Sequence, residues 1–163
     1  MSVAVDTMIM IWGLKKIKPK SSRQDLVEVQ ARTNILFQIL KDQRIIVPAT
    51  VVAELLCGIP AKEHGQFVAE IQERFFCPPF DLSACALAAR LWQFQKGLQS
   101  KDKPKERSCL KADMMIVATA KVAGASKFFS HDQTCRRLAE EAGMQAFDLP
   151  THRENLFDDP ELK

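Results

Sequence analysis

The sequence predicts an α/β domain built on a mostly parallel sheet between layers of helix, and three observations carry that expectation. The chain has 163 residues, the size of one ordinary domain and hardly enough for two. Short apolar, β-branched segments alternate along it with longer stretches whose apolar residues recur at steps of three and four. Proline, glycine or acidic residues punctuate the changes from one period to the other. Alternation of this kind packs as a parallel sheet with crossover helices.

Taken in order, Ser2 to Val5 is apolar and stops at Asp6, as a short buried strand does. Met8 to Leu14 fits one short helix. Ser21 with Gln24 reads as a capping box, after which Leu26, Val29, Thr33, Leu36, Phe37 and Leu40 keep helical spacing. Arg44 to Val47 is a second strand that Pro48 stops. Ala49 to Cys57 is helical until Gly58 and Pro60 end it, and Lys62 to Arg74 is a further amphipathic helix. Phe75 to Phe80 is a third strand, confined to an edge because Pro78 and Pro79 lack an N–H. Leu82 to Leu98 and Leu110 to Val122 are helices, and Lys127 to Ser130, Gln133 to Glu141 and Gln145 to Leu149 supply strand, helix, strand. The expected order is β-α-β-α-α-β-α-α-β-α-β, with five strands. Residues 1–150 form the domain and 151–163 a tail, with looser chain at Lys15 to Lys20 and Gln99 to Ser108.

Composition excludes several classes. Hydrophobic residues at 47% and charged residues at 26% fit a globular chain rather than a disordered or membrane one. The apolar run Val3 to Leu14 is broken by Asp6 and has no basic residue before it, so it is neither a signal peptide nor a span, and a cytoplasmic location is expected. Cys57, Cys77, Cys85, Cys109 and Cys135 form no C-x-x-C pair and are odd in number, which argues for reduced thiols. Three scattered histidines do not make a transition-metal cage.

Four carboxylates stand in apolar company. Ligands of an open parallel sheet gather beyond the carboxyl ends of its strands, where Asp6 and Asp132 both lie. Glu54 is the only charged residue between Arg44 and Lys62, and Asp113 borders the apolar stripe formed by Leu110, Met114 and Val117. Singly, each acid also fits a structural role: Asp6 and Asp132 as helix N-caps, Glu54 and Asp113 as partners of an arginine. Together in one cleft they mean something else. Two carboxylates at about 4 Å repel by roughly 4 kcal/mol at an effective dielectric of 20. Several such pairs rival a folding free energy of about 5–15 kcal/mol. Bound cations or raised pKa values relieve the repulsion, and oxygen-only ligands suit Mg²⁺ or Mn²⁺. Ser130, His131 and Asp132 do not form a catalytic triad, because neighbours on a strand point to opposite faces. A phosphoryl-transfer domain of the haloacid dehalogenase type wants a second Asp where Met8 stands.

The segments VAVDT from Val3, VVAELLCGI from Val51, KADMMIVATA from Lys111 and FFSHD from Phe128 resemble the PIN domain, and particularly its VapC-type toxin branch. The resemblance runs from Val3 to Leu149. It implies a flavodoxin-like three-layer fold with strand order 3-2-1-4-5, and a metal-dependent endoribonuclease acting on single-stranded or structured RNA. It makes Asp6, Glu54, Asp113 and Asp132 the metal-binding acids, with Ser130 the supporting hydroxyl. Met8 stands where many relatives carry Asn, and Ser130 replaces the commoner Thr. The alternative is a catalytically silent module of the same fold that binds RNA or protein.

Two further features bear on partners. Lys96, Lys101, Lys103, Lys105, Arg107 and Lys111 face only Asp102 and Glu106 in their segment, so the chain's net charge of +3 is concentrated just before Asp113. Lys101, Lys103, Lys105, Arg107 and Lys111 are the expected RNA contacts, and a merely solvated linker is the competing reading. Met8, Ile9, Met10, Ile11, Trp12 and Leu14 are too many apolar residues for a short helix to bury on one side of a sheet, which makes Trp12 a candidate interface residue. The VapC resemblance implies an antitoxin seated beside this region and a homodimer. The competing reading places Trp12 in the core.

Overall fold

The chain was analysed as a computed structural model that describes residues 2–14, 24–97 and 107–151. Strand β1 (Ser2–Val5) lies between β2 (Arg44–Ile46) and β3 (Lys127–Phe129), and β4 (Gln145–Phe147) extends the sheet beyond β3, in the order β2-β1-β3-β4. Every pairing is parallel. The register sets Ala4 between Ile46 and Phe128, and all three are fully buried. Val3, Ala4 and Val5 are all fully buried, so both faces of β1 are covered, which is why it reads as an unbroken apolar run.

The sequence predicts five strands, and the sheet has four. Phe75 to Phe80 forms a single parallel bridge, from Phe76 to Ile46. The Phe76 N–H donates to Ile45 O at 3.0 Å, Val47 N–H donates to Phe76 O at 2.9 Å, and Ala49 N–H donates to Pro78 O at 3.0 Å. Pro78 and Pro79 then have no N–H with which to continue, so the segment lines the outer edge of β2 without a ladder.

The helices are α1 (Thr7–Gly13), α2 (Gln24–Ile39), α3 (Ala49–Leu56), α4 (His64–Arg74), α5 (Leu82–Gly97), α6 (Arg107–Val122) and α7 (Gln133–Glu141), with 3-10 turns at Leu40–Asp42 and Ala61–Glu63. Helix α6 begins a turn earlier than its periodicity suggests, and the stretch from Ala61 opens as a 3-10 turn before α4. The Ser21 cap lies outside the described residues, as do the loop expected at Lys15 to Lys20, residues 99–106 of the loop expected at Gln99 to Ser108 and the tail beyond 151, while Arg107 and Ser108 open α6. No helix among the described residues is long and apolar enough to cross a membrane.

Helix α1 corrects the expectation of an exposed Trp12. The helix packs against both α2 and α3. More than one of its sides is therefore covered, and Ile9, Met10 and Trp12 are all buried, Trp12 to 7% exposure. Met8, at 44%, is the large apolar residue that α1 leaves outside. Gly13 allows the close approach to α2: a Cβ there would sit 2.2 Å from the Phe37 ring. Phe37 in turn meets Phe75 edge-on, with ring centroids 6.3 Å apart.

Candidate functional site

Parallel pairing brings the carboxyl ends of all four strands to one edge of the sheet, and the chain places polar residues there. Asp6 follows β1 directly, its N–H donating to Phe129 O at 3.2 Å. Its Oδ1 accepts from Ile9 N–H at 2.9 Å and so caps α1. Ser130 follows β3, tied to β4 by its N–H on Phe147 O at 3.0 Å. The buried Ser130 hydroxyl donates to Asp6 Oδ2 and accepts from Asp132 N–H, the latter at 3.0 Å. Asp132 Oδ1 accepts from Thr134 N–H at 2.7 Å and Cys135 N–H at 3.0 Å, which caps α7. The N-cap reading and the site reading of these two acids are therefore compatible.

Asp6 is uncomfortable as an anion. Burial pushes its pKa up, hydrogen bonds from Ser130 and the Ile9 N–H pull it back, the Asp132 charge raises it and His131 lowers it, and the balance is upward. A desolvated carboxylate under pressure from a second one is a place where a cation is favourable.

Glu54 and Asp113 stand further out. Glu54 is exposed on α3, beside the buried Val51 and Leu55, and accepts a hydrogen bond from the Thr7 hydroxyl, the residue after Asp6. Asp113 is half-buried on α6, immediately before the buried Met114, and α6 packs against α3. Among the described residues no three His, Cys, Asp or Glu side chains converge closely enough to hold an ion by themselves. The donor chemistry nonetheless fits a hard cation, since Mg²⁺ keeps several waters and needs only one or two carboxylates beside the oxygens of a phosphate. Lys111 is exposed on α6, two residues before Asp113. Lys101, Lys103 and Lys105 lie outside the described residues, as does the side chain of Arg107.

The structure adds residues that the sequence did not mark. Thr7 is one. Asp148 is another: its Oδ1 lies 2.8 Å from His131 Nδ1, and Arg136 and Arg32 approach it to 3.5 Å and 3.9 Å. Arg136 also donates to Ser130 O at 2.7 Å. Burial opposes the charge of Asp148, but the His131 hydrogen bond, the Leu149 N–H and the charges of His131 and Arg136 outweigh it and hold the carboxyl below its usual range. Asp148 follows β4 as Asp6 follows β1, because β4 ends at Phe147 and not at the expected Leu149.

The family model for the PIN domain matches residues 3–141. The chain belongs to the PIN-domain family. No curated protein sequence matches this PIN domain significantly. Its fold is similar to that of VapBC2 from Rickettsia felis bound to a DNA fragment from their promoter, at 15% identity and TM-score 0.59, covering 92% of this chain and 100% of that one. DNA-bound VapBC from Salmonella typhimurium shares 15% identity at TM-score 0.60, covering 92% and 99%. VapBC-1 from nontypeable Haemophilus influenzae shares 16% at TM-score 0.61, covering 91% and 98%. The likeness to these structures is one of fold.

Proposed function

We propose that this PIN domain is a metal-dependent endoribonuclease, the toxin of a toxin–antitoxin pair. Membership of the PIN family and the likeness in fold to VapBC assemblies support the reading. The observation that carries it is the unit at the sheet's carboxyl edge: the Ser130 hydroxyl bonded to the buried Asp6 carboxylate, with Asp132 close enough to raise the Asp6 pKa. A divalent ion, Mg²⁺ or Mn²⁺, supplies Lewis acidity at a phosphodiester and makes water a better nucleophile. Asp6 and Asp132 would hold that ion, with Asp113 and Glu54 joining directly or through water. Ser130 fixes the Asp6 carboxylate, and the walls around Asp6 exclude solvent from one side. Lys101, Lys103, Lys105, Arg107 and Lys111 would draw the RNA backbone to the mouth of the site. An antitoxin and a second copy of the chain are the protein partners this reading entails.

A PIN-fold module that binds RNA or protein without cleaving is the competing reading, favoured by the engagement of Glu54 with Thr7 rather than with the Asp6 pair. End-labelled single-stranded RNA separates the two. Cleavage with Mg²⁺ or Mn²⁺ that stops in EDTA supports the nuclease. Cleavage undiminished by chelator overturns the metal requirement, and binding without cleavage under any metal supports the silent module.

A further inference from the structure

His131 lies between Ser130 and Asp132 in the chain. Its Nδ1 is 2.8 Å from Asp148 Oδ1, and Trp12 meets the imidazole in a T-shaped contact, with centroids 5.9 Å apart and planes at 70°. Asp148 is itself fixed, since Leu149 N–H donates to it at 2.6 Å and Arg136 and Arg32 flank it. Even so, 42% of the His131 side chain is exposed. The ring is also near enough to Asp6 to act on its charge. A rigid, partly exposed aromatic ring beside a pair of phosphate-directed acids costs little entropy to use as a contact surface.

We propose that His131 is a nucleobase platform: the base next to the phosphate that a divalent cation on Asp6 and Asp132 would bind stacks on its imidazole, which Asp148 and Trp12 keep in place. The inference rests on the ribonuclease reading and deepens it by assigning a residue that would touch the substrate's base. Stacking needs a base whose π-face is free, so the substrate is single-stranded or splayed RNA, and duplex is disfavoured. Stacking tolerates any base, so the site selects conformation more than sequence.

The test uses the full chain and a fluorescein-labelled single-stranded RNA oligonucleotide, with anisotropy in Ca²⁺ for Kd and cleavage in Mn²⁺ for KM and kcat. His131→Ala should raise Kd and KM about tenfold, with the loss falling in KM more than in kcat. His131→Phe, which keeps a flat ring without nitrogens, should recover most of the affinity. Phe as weak as Ala, or a loss confined to kcat, overturns the platform in favour of a hydrogen-bonding role. A second measurement does not depend on any variant's folding: among oligonucleotides carrying one abasic position each, a single position should raise the wild-type KM, and no sensitive position overturns the proposal. Wild-type cleavage with KM unchanged in His131→Ala refutes the platform and leaves the nuclease standing. A wild type that neither binds nor cleaves RNA refutes the nuclease reading first.

Discussion

The Ser130 hydroxyl at the tip of β3 donates its hydrogen to Asp6 Oδ2 at the tip of β1, joining two strands that are neighbours in the sheet and distant in the chain. Ser130 Oγ in turn receives the Asp132 N–H. Ser130→Ala therefore strands one buried carboxylate oxygen and one N–H. The expected cost is about 1–3 kcal/mol, read as a shift in urea midpoint, together with weaker Mn²⁺ binding by calorimetric titration. A variant as stable and as avid for Mn²⁺ as the wild type would show that the hydroxyl is dispensable.

Asp6→Asn keeps an oxygen for the Ile9 N–H and removes a charge that burial disfavours. Asn caps a helix about as well as Asp, and Ala loses about 1 kcal/mol at such a position. In EDTA at pH 7 the Asn variant should melt at or above the wild type, and Asp6→Ala below it, while both lose RNA cleavage. An Asn variant that melts well below the wild type would mark the carboxylate as a net stabiliser.

Trp12→Ala now belongs with core deletions. The ring is buried and meets His131 edge-on, and its removal should cost about 3–5 kcal/mol. Thermal melting of the free protein checks this, and a drop of only a degree or two would return Trp12 to the surface.

Asp148 gives a pH signature. Its pKa is lowered in the folded state, so its ionised form stabilises the fold above the ordinary value of 3.8, and that stability is lost as pH falls through the lower folded value. Asp148→Asn should lower the urea midpoint at pH 7, and its difference from the wild type should narrow below pH 3.8. A gap that stays constant across that range contradicts the ionic role.

Much of this was legible before any coordinates. Val3, Ala4 and Val5 announce a central strand because both faces of β1 are covered, and Asp6 stands out as the first polar break. The fifth strand was misread because Phe75 to Phe80 has the apolar content of a strand while its prolines remove the donors that a ladder needs. Trp12 was misplaced because a sequence shows how many apolar residues a helix carries, and not how many neighbours surround it. Glu54 in its apolar helix signals a partner correctly, yet the partner, Thr7, lies 47 positions away and leaves no local trace. Asp148 was hidden inside an apolar stretch taken as strand through Leu149, whereas β4 ends at Phe147.

Because all four strands run in one direction, the chain leaves β4 at the edge where Asp6 and Ser130 meet, and Arg32 anchors the carbonyls of Leu149 and Pro150 there. The opposite edge begins with Ser2. The two ends of the described domain are thus inequivalent for engineering. A handle placed before Ser2 sits at the far edge, while a dye attached at Thr151 follows the segment that Arg32 anchors at the edge of Asp6 and Ser130.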